Sequence, residues 1–464
     1  MTIKLYNTLT RKKEEFKPIK AGEAGIYTCG PTVYWFQHIG NFRAYISWDL
    51  LKRMLIHNGL KVRHVMNYTD VGHLTSDADE GEDKMEKAAA KEGKKASDIA
   101  KFYAEAFEKD AKKLNIITPD VVCKATEHIK EQIELVQNLE KKGLTYKTSD
   151  GIYYDTSKFP DYGKLGKISF EGLDAGKRVD MGEKKNKTDF ALWKFSEEKG
   201  KRQQEWESPW GLGFPGWHIE CSAMSSKYLG EQFDIHTGGE DHIQVHHQNE
   251  IAQSEGAFGK KPWVRYWMHV AFLTFKGEKV SKSKGGLYTI SELEEQGFNA
   301  LDYRYFCLGT HYKKPLNFSI EALEGAKATM TRLKNLIIEL KSKDDSKKTA
   351  DYDSYKKKFD EAISDDLNTP LALAVLWDVM RDNQLGSKEK LELAFSFDEV
   401  LGLGLKSAEA EAIEVPDEIM ALADKRAEAR KNKDWAASDK IRDKIKAKGW
   451  IVEDKKEGQK LKKA

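Results

Sequence analysis

The sequence predicts an α/β fold: a parallel-sheet domain carrying an insertion, followed by an α-helical bundle and a small C-terminal domain. Three observations predict it. Short β-prone runs at 25–28 and 61–67 flank a helical pattern with Tyr45, Trp48, Leu51 and Leu55 at three- and four-residue spacing, the alternation of a βαβ unit. Phe233 to His236 and the apolar run from Val264 to Phe275 repeat the strand signal later in the chain. From Ile290 onward the helical period takes over, and 464 residues are too many for one core.

In chain order, the first strand meets Gly30-Pro31, which cannot continue it. The following helix ends near Gly59. Residues 84–95 and 98–114 are charged and alanine-rich, a pattern for solvent-facing helices with Ser97 as the N-cap of the second. Residues 120–205 change texture, with a strand near Ile152 and a glycine- and lysine-rich stretch that offers little for a large core. They read as an insertion splitting a domain made of 1–119 and 206–290. Residues 291–341 form a helical junction, 354–404 a bundle, and 417–464 a separate basic module after polar linkers. Asn368-Thr369-Pro370 caps a helix of the bundle.

Composition narrows the function classes. Forty per cent hydrophobic and 33% charged residues, with no apolar h-region in the first twenty residues and no run near a membrane span, predict a cytoplasmic protein without membrane attachment. Four cysteines do not make a disulfide framework; metal or structural thiols in a reducing compartment fit them better. The net charge of +2 is unevenly spread: residues 425–464 hold 15 Lys/Arg against 7 Asp/Glu, the rest 62 against 68. A basic tail on an acidic body predicts a polyanionic partner, although solvated helix faces produce such tails too.

Chemistry gathers at predicted strand ends, where open α/β sheets bind ligands. Cys29 and His38 share the loop after the first strand, a thiol for a metal and an imidazole for a phosphate oxygen. Alone they are equally a buried cysteine and a capping histidine. Thr69 and Asp70 follow the second strand. Gly238-Gly239 ends the Phe233 strand with bare backbone for a ribose or adenine, and Asp241 can accept a ribose hydroxyl. His246 and Glu250, at i and i+4, project from one helix face and offer the N and O donors zinc accepts; as solvated or core side chains they would be unremarkable. Lys279, Lys282 and Lys284, spaced by serines before Gly285-Gly286, make a cationic loop suited to a leaving pyrophosphate or merely a solvated hairpin.

Together these segments resemble a known family. His38-Ile-Gly-Asn41 and Lys279-Val-Ser-Lys-Ser283 resemble the "HIGH" and "KMSKS" elements of class I aminoacyl-tRNA synthetases, in order and one α/β domain apart. The surrounding 28–34, 216–224 and 246–250 segments, with Asp365-Asp-Leu-Asn-Thr-Pro370 and Lys433-Asp-Trp-Ala-Ala437, are similar to the cysteinyl-tRNA synthetase family. That resemblance covers nearly the whole chain. It implies a Rossmann-type catalytic domain, a tRNA-facing bundle, an anticodon-binding module at 417–464, and ligation of L-cysteine to tRNA(Cys) through cysteinyl-adenylate.

By motif match, Cys29, Cys221, His246 and Glu250 hold one Zn²⁺, and Thr69, Trp217 and His236, with Cys29, line the cysteine pocket. Thr32, His38, Gly40, Asn41, Gly238, Asp241 and Lys282 bind ATP, with Mg²⁺ accompanying it; His38, Asn41, Lys279 and Lys282 act in catalysis. The implied partners are tRNA(Cys), L-cysteine and ATP, with the chain acting as a monomer. Trp435 and Trp450 are candidates for stacking on unpaired bases. Departures are modest: Asn41 stands where some class I enzymes have histidine, Val280 replaces methionine, and Glu240 and His242 add charge around Asp241. A related alternative is a tRNA-independent cysteine ligase of the mycothiol-pathway type, which needs no basic module. Cys123 and Cys307 match no motif and read as buried thiols.

Overall fold

The computed structural model describes residues 1–72, 83–167, 183–196, 198, 200, 202–275, 278–279, 288–349, 351–409, 415–455 and 458–463. It divides into two compact units, Met1–Ala408 and Glu409–Ala464.

The first unit is built on five parallel strands: β1 (Glu23–Thr28), β2 (Lys61–Tyr68), β3 (Val121–Lys124), β4 (Phe233–Gly239) and β5 (Val264–Val270). Their order is β5-β4-β1-β2-β3. From β1 the chain winds outward one way to β2 and β3 and later returns to fill the other side with β4 and β5. The reversal therefore falls between β1 and β4, where Thr28 pairs with Thr237. Such a switch point opens a crevice at the carboxyl ends of the strands, the default ligand position in this fold class. Gly30 sits in that crevice for a steric reason: a Cβ there would overlap the Asn67 carbonyl.

Helix α1 (Ile39–His57) crosses from β1 to β2, and α2 (Ala96–Lys113) lies beyond it. Ser97 does not cap α2; the helix starts one residue earlier and Lys95 holds the cap position without a side-chain bond. Helices α3 (Trp217–Leu229) and α4 (His246–Phe258) carry most of the site.

Residues 120–205 are more substantial than their texture suggests. Val121–Lys124 belongs to the parallel sheet, and Thr145–Lys147, Gly151–Tyr154, Phe190–Phe195 and Gly213–Pro215 form a four-stranded antiparallel sheet. Ile152, Tyr154, Phe190, Leu192 and Trp193 enter a second core shared with β1, α3 and α4. Aromatic residues scattered among glycines and lysines meet only once the strands pair, which no local pattern signals.

The Ile290–Leu308 run is two helices, Ile290–Glu295 and Ala300–Leu308, followed by Ile320–Lys341, Asp351–Ser364, Thr369–Arg381 and Ser387–Leu401. Asn368 accepts from the Leu371 amide, as a cap should. Phe359 and Phe397 stack at 4.0 Å in a core continuous with that of the sheet. The fully buried Arg304 joins the helices to α1: Nη2 donates to Asp49 Oδ2 at 2.6 Å, Nε to the Leu401 carbonyl and Nη1 to the Leu114 carbonyl.

The second unit has helices Asp417–Lys431 and Trp435–Ala447 and the hairpin Trp450–Lys455/Gly458–Lys463. Ile419, Ala423, Ile445, Trp450 and Val452 form its core, and Arg426 grips Asp454 with two bonds of 2.8 and 3.0 Å. Trp450 is thus a core residue and not a free stacking surface, because the hairpin folds its ring inward; Trp435 is 57% exposed. Among the described residues, no helix is long and apolar enough to cross a membrane. Cys123 and Cys307 are buried free thiols.

Candidate active site and metal centre

Cys29 leaves the end of β1, Cys221 faces it from α3, and His246 and Glu250 project one turn apart from α4. All four are buried, and their donor atoms lie within 4.8 Å of one another. A second overlapping group, Cys29, His236, His247 and Glu250, meets the same criterion. Four sequence-predicted ligands from three elements therefore converge on one point.

Hydrogen bonds orient them. Glu250 Oε2 accepts from His236 Nε2 at 2.8 Å. Glu250 Oε1 lies 3.0 Å from His246 Nε2 yet is out of line for a hydrogen bond, leaving a buried carboxylate oxygen without one. His246 Nδ1 is 2.8 Å from His218 Nδ1, and Trp217 stacks on the His246 ring at 4.3 Å. Cys29 Sγ is 3.3 Å from His247 Nε2, whose Nδ1 continues to His269 Nε2 and from there to Thr8. Asn67 Oδ1 accepts from the Gly30 amide and lies 3.9 Å from Cys221 Sγ, while Asn67 Nδ2 donates to Thr69 Oγ1.

The electrostatics follow from this packing. Burial pushes the Cys29 thiol well up, whereas the neighbouring Cys29 and His246 bring Cys221 down to about 7 against its own burial. Burial opposes charge on His246, but Glu250 and Cys221 outweigh it and raise the imidazole to about 10. Burial likewise opposes the Glu250 charge, and His236 and His246 overcome it, holding the carboxyl at about 2. Burial drives His247 and His269 well below the usual histidine range, and burial with the nearby His246 takes His242 to about 4.

Two thiols, an imidazole and a carboxylate are the donors tetrahedral Zn²⁺ takes, and bond lengths of about 2.0–2.3 Å place such donors roughly 3.3–3.8 Å apart. The cluster needs only slight closure to reach that spacing. A divalent cation would also satisfy the Glu250 oxygen that lacks a hydrogen bond. The residues fit the metal.

The other expected site residues fall into place unevenly. Gly238 has no room for a Cβ, which would come 2.6 Å from the His247 ring and 2.7 Å from His242 Nδ1. Thr69 is buried, and its backbone bridges to Thr32. Asp241 is exposed in the turn after β4. His38 and Asn41 form a capping box at the start of α1: His38 Nδ1 accepts from the Asn41 amide at 3.3 Å, and Asn41 Oδ1 accepts from the His38 amide at 3.2 Å. Gly40 is packed beneath that ring, where a Cβ would lie 2.9 Å from His38 Cε1. Lys279 falls in the short strand Glu278–Lys279, and Lys282 lies outside the described residues. Sequence reading missed His247, His218 and Asn67. The His246-His247 doublet was a usable signal, since His247 also sits at i, i+3 from Glu250.

Comparison with known proteins decides the family. A family model described as "tRNA synthetases class I (C) catalytic domain" matches residues 15–328, a DALR domain matches 358–405, and "Cysteinyl-tRNA ligase anticodon binding domain" matches 413–460. Cysteine–tRNA ligase 1 of Burkholderia lata is 51% identical over 99% of this chain and 97% of its own length. The chain belongs to the cysteine–tRNA ligase family. The Treponema denticola cysteine–tRNA ligase is 47% identical over 98% of both chains. Among solved structures, Mycobacterium tuberculosis methionyl-tRNA synthetase bound by methionyl-adenylate is similar in fold, with a TM-score of 0.58 at 16% identity over 90% of this chain and 96% of that one. A LeuRS–tRNA–LeuAMS complex from Agrobacterium radiobacter gives 0.59 at 12% identity, covering 84% of each chain.

Proposed function

We propose that this member of the cysteine–tRNA ligase family joins L-cysteine to tRNA(Cys) in two steps at the β1/β4 crevice. In the first, the carboxylate of cysteine attacks the α-phosphorus of ATP, the bond to the β-phosphate breaks, and cysteinyl-adenylate and pyrophosphate result. In the second, a ribose hydroxyl at the 3′ end of the tRNA attacks the adenylate carbonyl, losing its proton as AMP departs. Neither step needs a protein nucleophile, so the residues act by positioning and by stabilising charge.

The observation that carries this reading is the buried Cys29–Cys221–His246–Glu250 cluster at the sheet's switch point. These four residues would hold Zn²⁺, which would supply a soft acceptor for a thiolate. Packing alone would separate cysteine from serine or alanine by only about 1–3 kcal/mol. Glu250 anchors His236, and His218 shares the hydrogen bond that orients His246. Trp217, Thr69 and His236 enclose the small substrate.

On the nucleotide side, the His38 imidazole N–H and the Asn41 side-chain NH₂, freed from the capping arrangement, donate to ATP phosphate oxygens, Thr32 and Gly40 shape the same turn, Gly238 admits the nucleoside, and Asp241 takes a ribose hydroxyl. Lys279 and Lys282 meet the pyrophosphate as its charge develops, with Mg²⁺ accompanying ATP. The 417–464 module, whose stretch 425–464 holds 15 Lys/Arg against 7 Asp/Glu, supplies tRNA contacts that a mycothiol-type cysteine ligase would not need. ATP–pyrophosphate exchange run with each of twenty amino acids tests the reading. Exchange should require cysteine, and equal exchange with serine would overturn the proposed selection.

A further inference from the structure

Two arginines of the helical bundle crowd one indole. Arg332, in the middle of the helix Ile320–Lys341, and Arg381, in the last turn of the helix Thr369–Arg381, each hold their guanidinium carbon 5.5 Å from the centre of the Trp377 ring. The two charges are therefore no more than twice that distance apart. Trp377 is only 8% exposed, and its Nε1 donates to Tyr305 Oη at 3.0 Å, which fixes the ring. Ala328 and Thr329 complete the lining of a groove of about 380 Å³ between the two helices. Both arginines are exposed.

The charge of this groove goes unanswered within the protein. Among the described residues, neither guanidinium has an ion pair or a hydrogen bond, whereas Arg53, Arg202 and Arg304 each pair with an aspartate. No acidic side chain lines the groove. Asp378, three positions before Arg381, instead adds to the negative surroundings of Tyr355 on the helix Asp351–Ser364. A helix C-terminus favours a cation, which accounts for Arg381 alone, because Arg332 sits in mid-helix. Cation–π attraction holds each guanidinium over the ring, but two like charges brought together without an acid repel. A polyanion in the groove would turn that repulsion into attraction at both arginines.

We propose that this groove takes the phosphate backbone of the tRNA, each planar guanidinium donating a pair of hydrogen bonds to phosphate oxygens. The indole beneath limits how far either fork can swing, so the pair is set before the RNA arrives. An acidic protein segment suits the groove less well. Beyond the mostly buried indole and one alanine methyl, its lining offers no pocket for an apolar anchor. Phosphate contacts of this kind fix the position of the RNA without reading its sequence. The identity of the RNA rests on the ligase reading, and the place of the contact rests on the groove.

The test titrates labelled tRNA(Cys) into the full chain and into an Arg332→Ala, Arg381→Ala double variant over about 50–200 mM salt. The variant should bind about tenfold more weakly, and its slope of log affinity against log salt should be shallower by about two, one for each lost phosphate contact. In charging, the KM for tRNA should rise by a similar factor with kcat nearly unchanged. Cysteine-dependent ATP–pyrophosphate exchange should match the wild type, since neither arginine is among the crevice residues. Arg332→Lys with Arg381→Lys keeps both charges without the forks, so it should keep the salt slope and still bind more weakly than the wild type. If the alanine variant has a lowered melting temperature, the lysine variant decides, and wild-type affinity there would overturn the proposal. Wild-type affinity and slope in a stable alanine variant would do the same. So would lost binding of a polyglutamate peptide with tRNA binding unchanged, which would assign the groove to an acidic protein. A wild-type chain without cysteine-dependent exchange would sink the ligase reading instead, while the affinities and salt slopes would still judge the groove.

Discussion

The thiol–histidine cluster and the capping turn occupy the same carboxyl edge of the sheet but are held in opposite ways. Cys29, Cys221, His246 and Glu250 are buried, and their polar atoms are oriented by other buried side chains such as His218 and His236. His38 and Asn41 are half-buried and bonded to each other across the first turn of α1. A buried site that must discriminate a small side chain gains from being assembled before substrate arrives, since freedom left in it would cost affinity. A turn that must greet a large, charged nucleotide can instead use capping bonds, which are easily exchanged for phosphate oxygens. The cysteine side is thus built rigid, and the nucleotide side is built to trade partners.

The largest effect should come from breaking the rigid side. Cys221→Ala removes one thiol and leaves Glu250, His246 and Cys29 unable to close a four-donor shell. Zinc content per chain should fall to near background, and cysteine-dependent exchange should drop about 10³-fold, equivalent to ~4 kcal/mol. Full zinc occupancy in the purified variant would remove Cys221 from the metal site.

Next in size is Lys282→Ala. If its charge meets the departing pyrophosphate, the activation rate should fall roughly 10²–10³-fold, the scale of one preorganised donor. Cysteine affinity should barely move, because the interaction forms mainly in the transition state. An unchanged rate of adenylate formation would rule the role out.

The metal side can be probed by pH as well. In metal-free protein, Cys29 is held protonated by burial, and His246 is held protonated to about 10 because Glu250 and Cys221 outweigh its burial. Cys221, brought to about 7, is already mostly thiolate at pH 8. Zinc ligation requires the deprotonated forms, so binding should release about two protons, and affinity should rise about 100-fold per pH unit between roughly 8 and 9. The sign is that acid weakens the site. Calorimetry in buffers of differing ionisation enthalpy counts the protons; a release below one per zinc would mean the donors are already ionised.

How much of this was legible in the sequence depends on whether the relevant contact is local. His246 and Glu250 could be paired from helical period alone, and the βαβ start from two β-prone runs around a helix. Cys29 and Cys221, nearly two hundred positions apart, share no period, so only the family resemblance put them together. His218 and His269 were missed for the same reason: they support the site across elements, and nothing local marks a histidine that bonds another histidine. Trp450 was misread because its burial depends on the pairing of two terminal strands, which a basic surrounding sequence disguises. The capping use of His38 was one of the two readings that its place just before a helical pattern allowed, and the structure has it with Asn41 as the reciprocal partner.

The two units offer a smaller, cleaner split. Residues 409–464 have their own core, apart from those of residues 1–408. Deleting them should leave cysteine-dependent exchange nearly intact while raising the tRNA concentration needed for charging by at least about tenfold, with a shallower dependence on salt as phosphate contacts disappear. Charging equal to that of the full chain would show that this unit is dispensable for tRNA.

The smallest effect is also the sharpest test of the trading turn. Asn41→Ala deletes the acceptor that receives the His38 amide, and loss of a cap costs about 0.5–2 kcal/mol. Asn41→Asp keeps that acceptor and adds a negative charge that the start of a helix tolerates well, so its melting temperature should match the wild type. If Asn41 serves only α1, the alanine variant should lose stability while both variants keep the wild-type KM for ATP. If the side chain turns from the cap to a phosphate, the pattern inverts. The aspartate variant, stable but repelling the nucleotide, should then raise the KM for ATP by about tenfold, ~1.4 kcal/mol of lost binding, and the alanine variant by less. Measured KM values that are equal across all three proteins would confine Asn41 to capping and leave the phosphate contacts on this turn to His38.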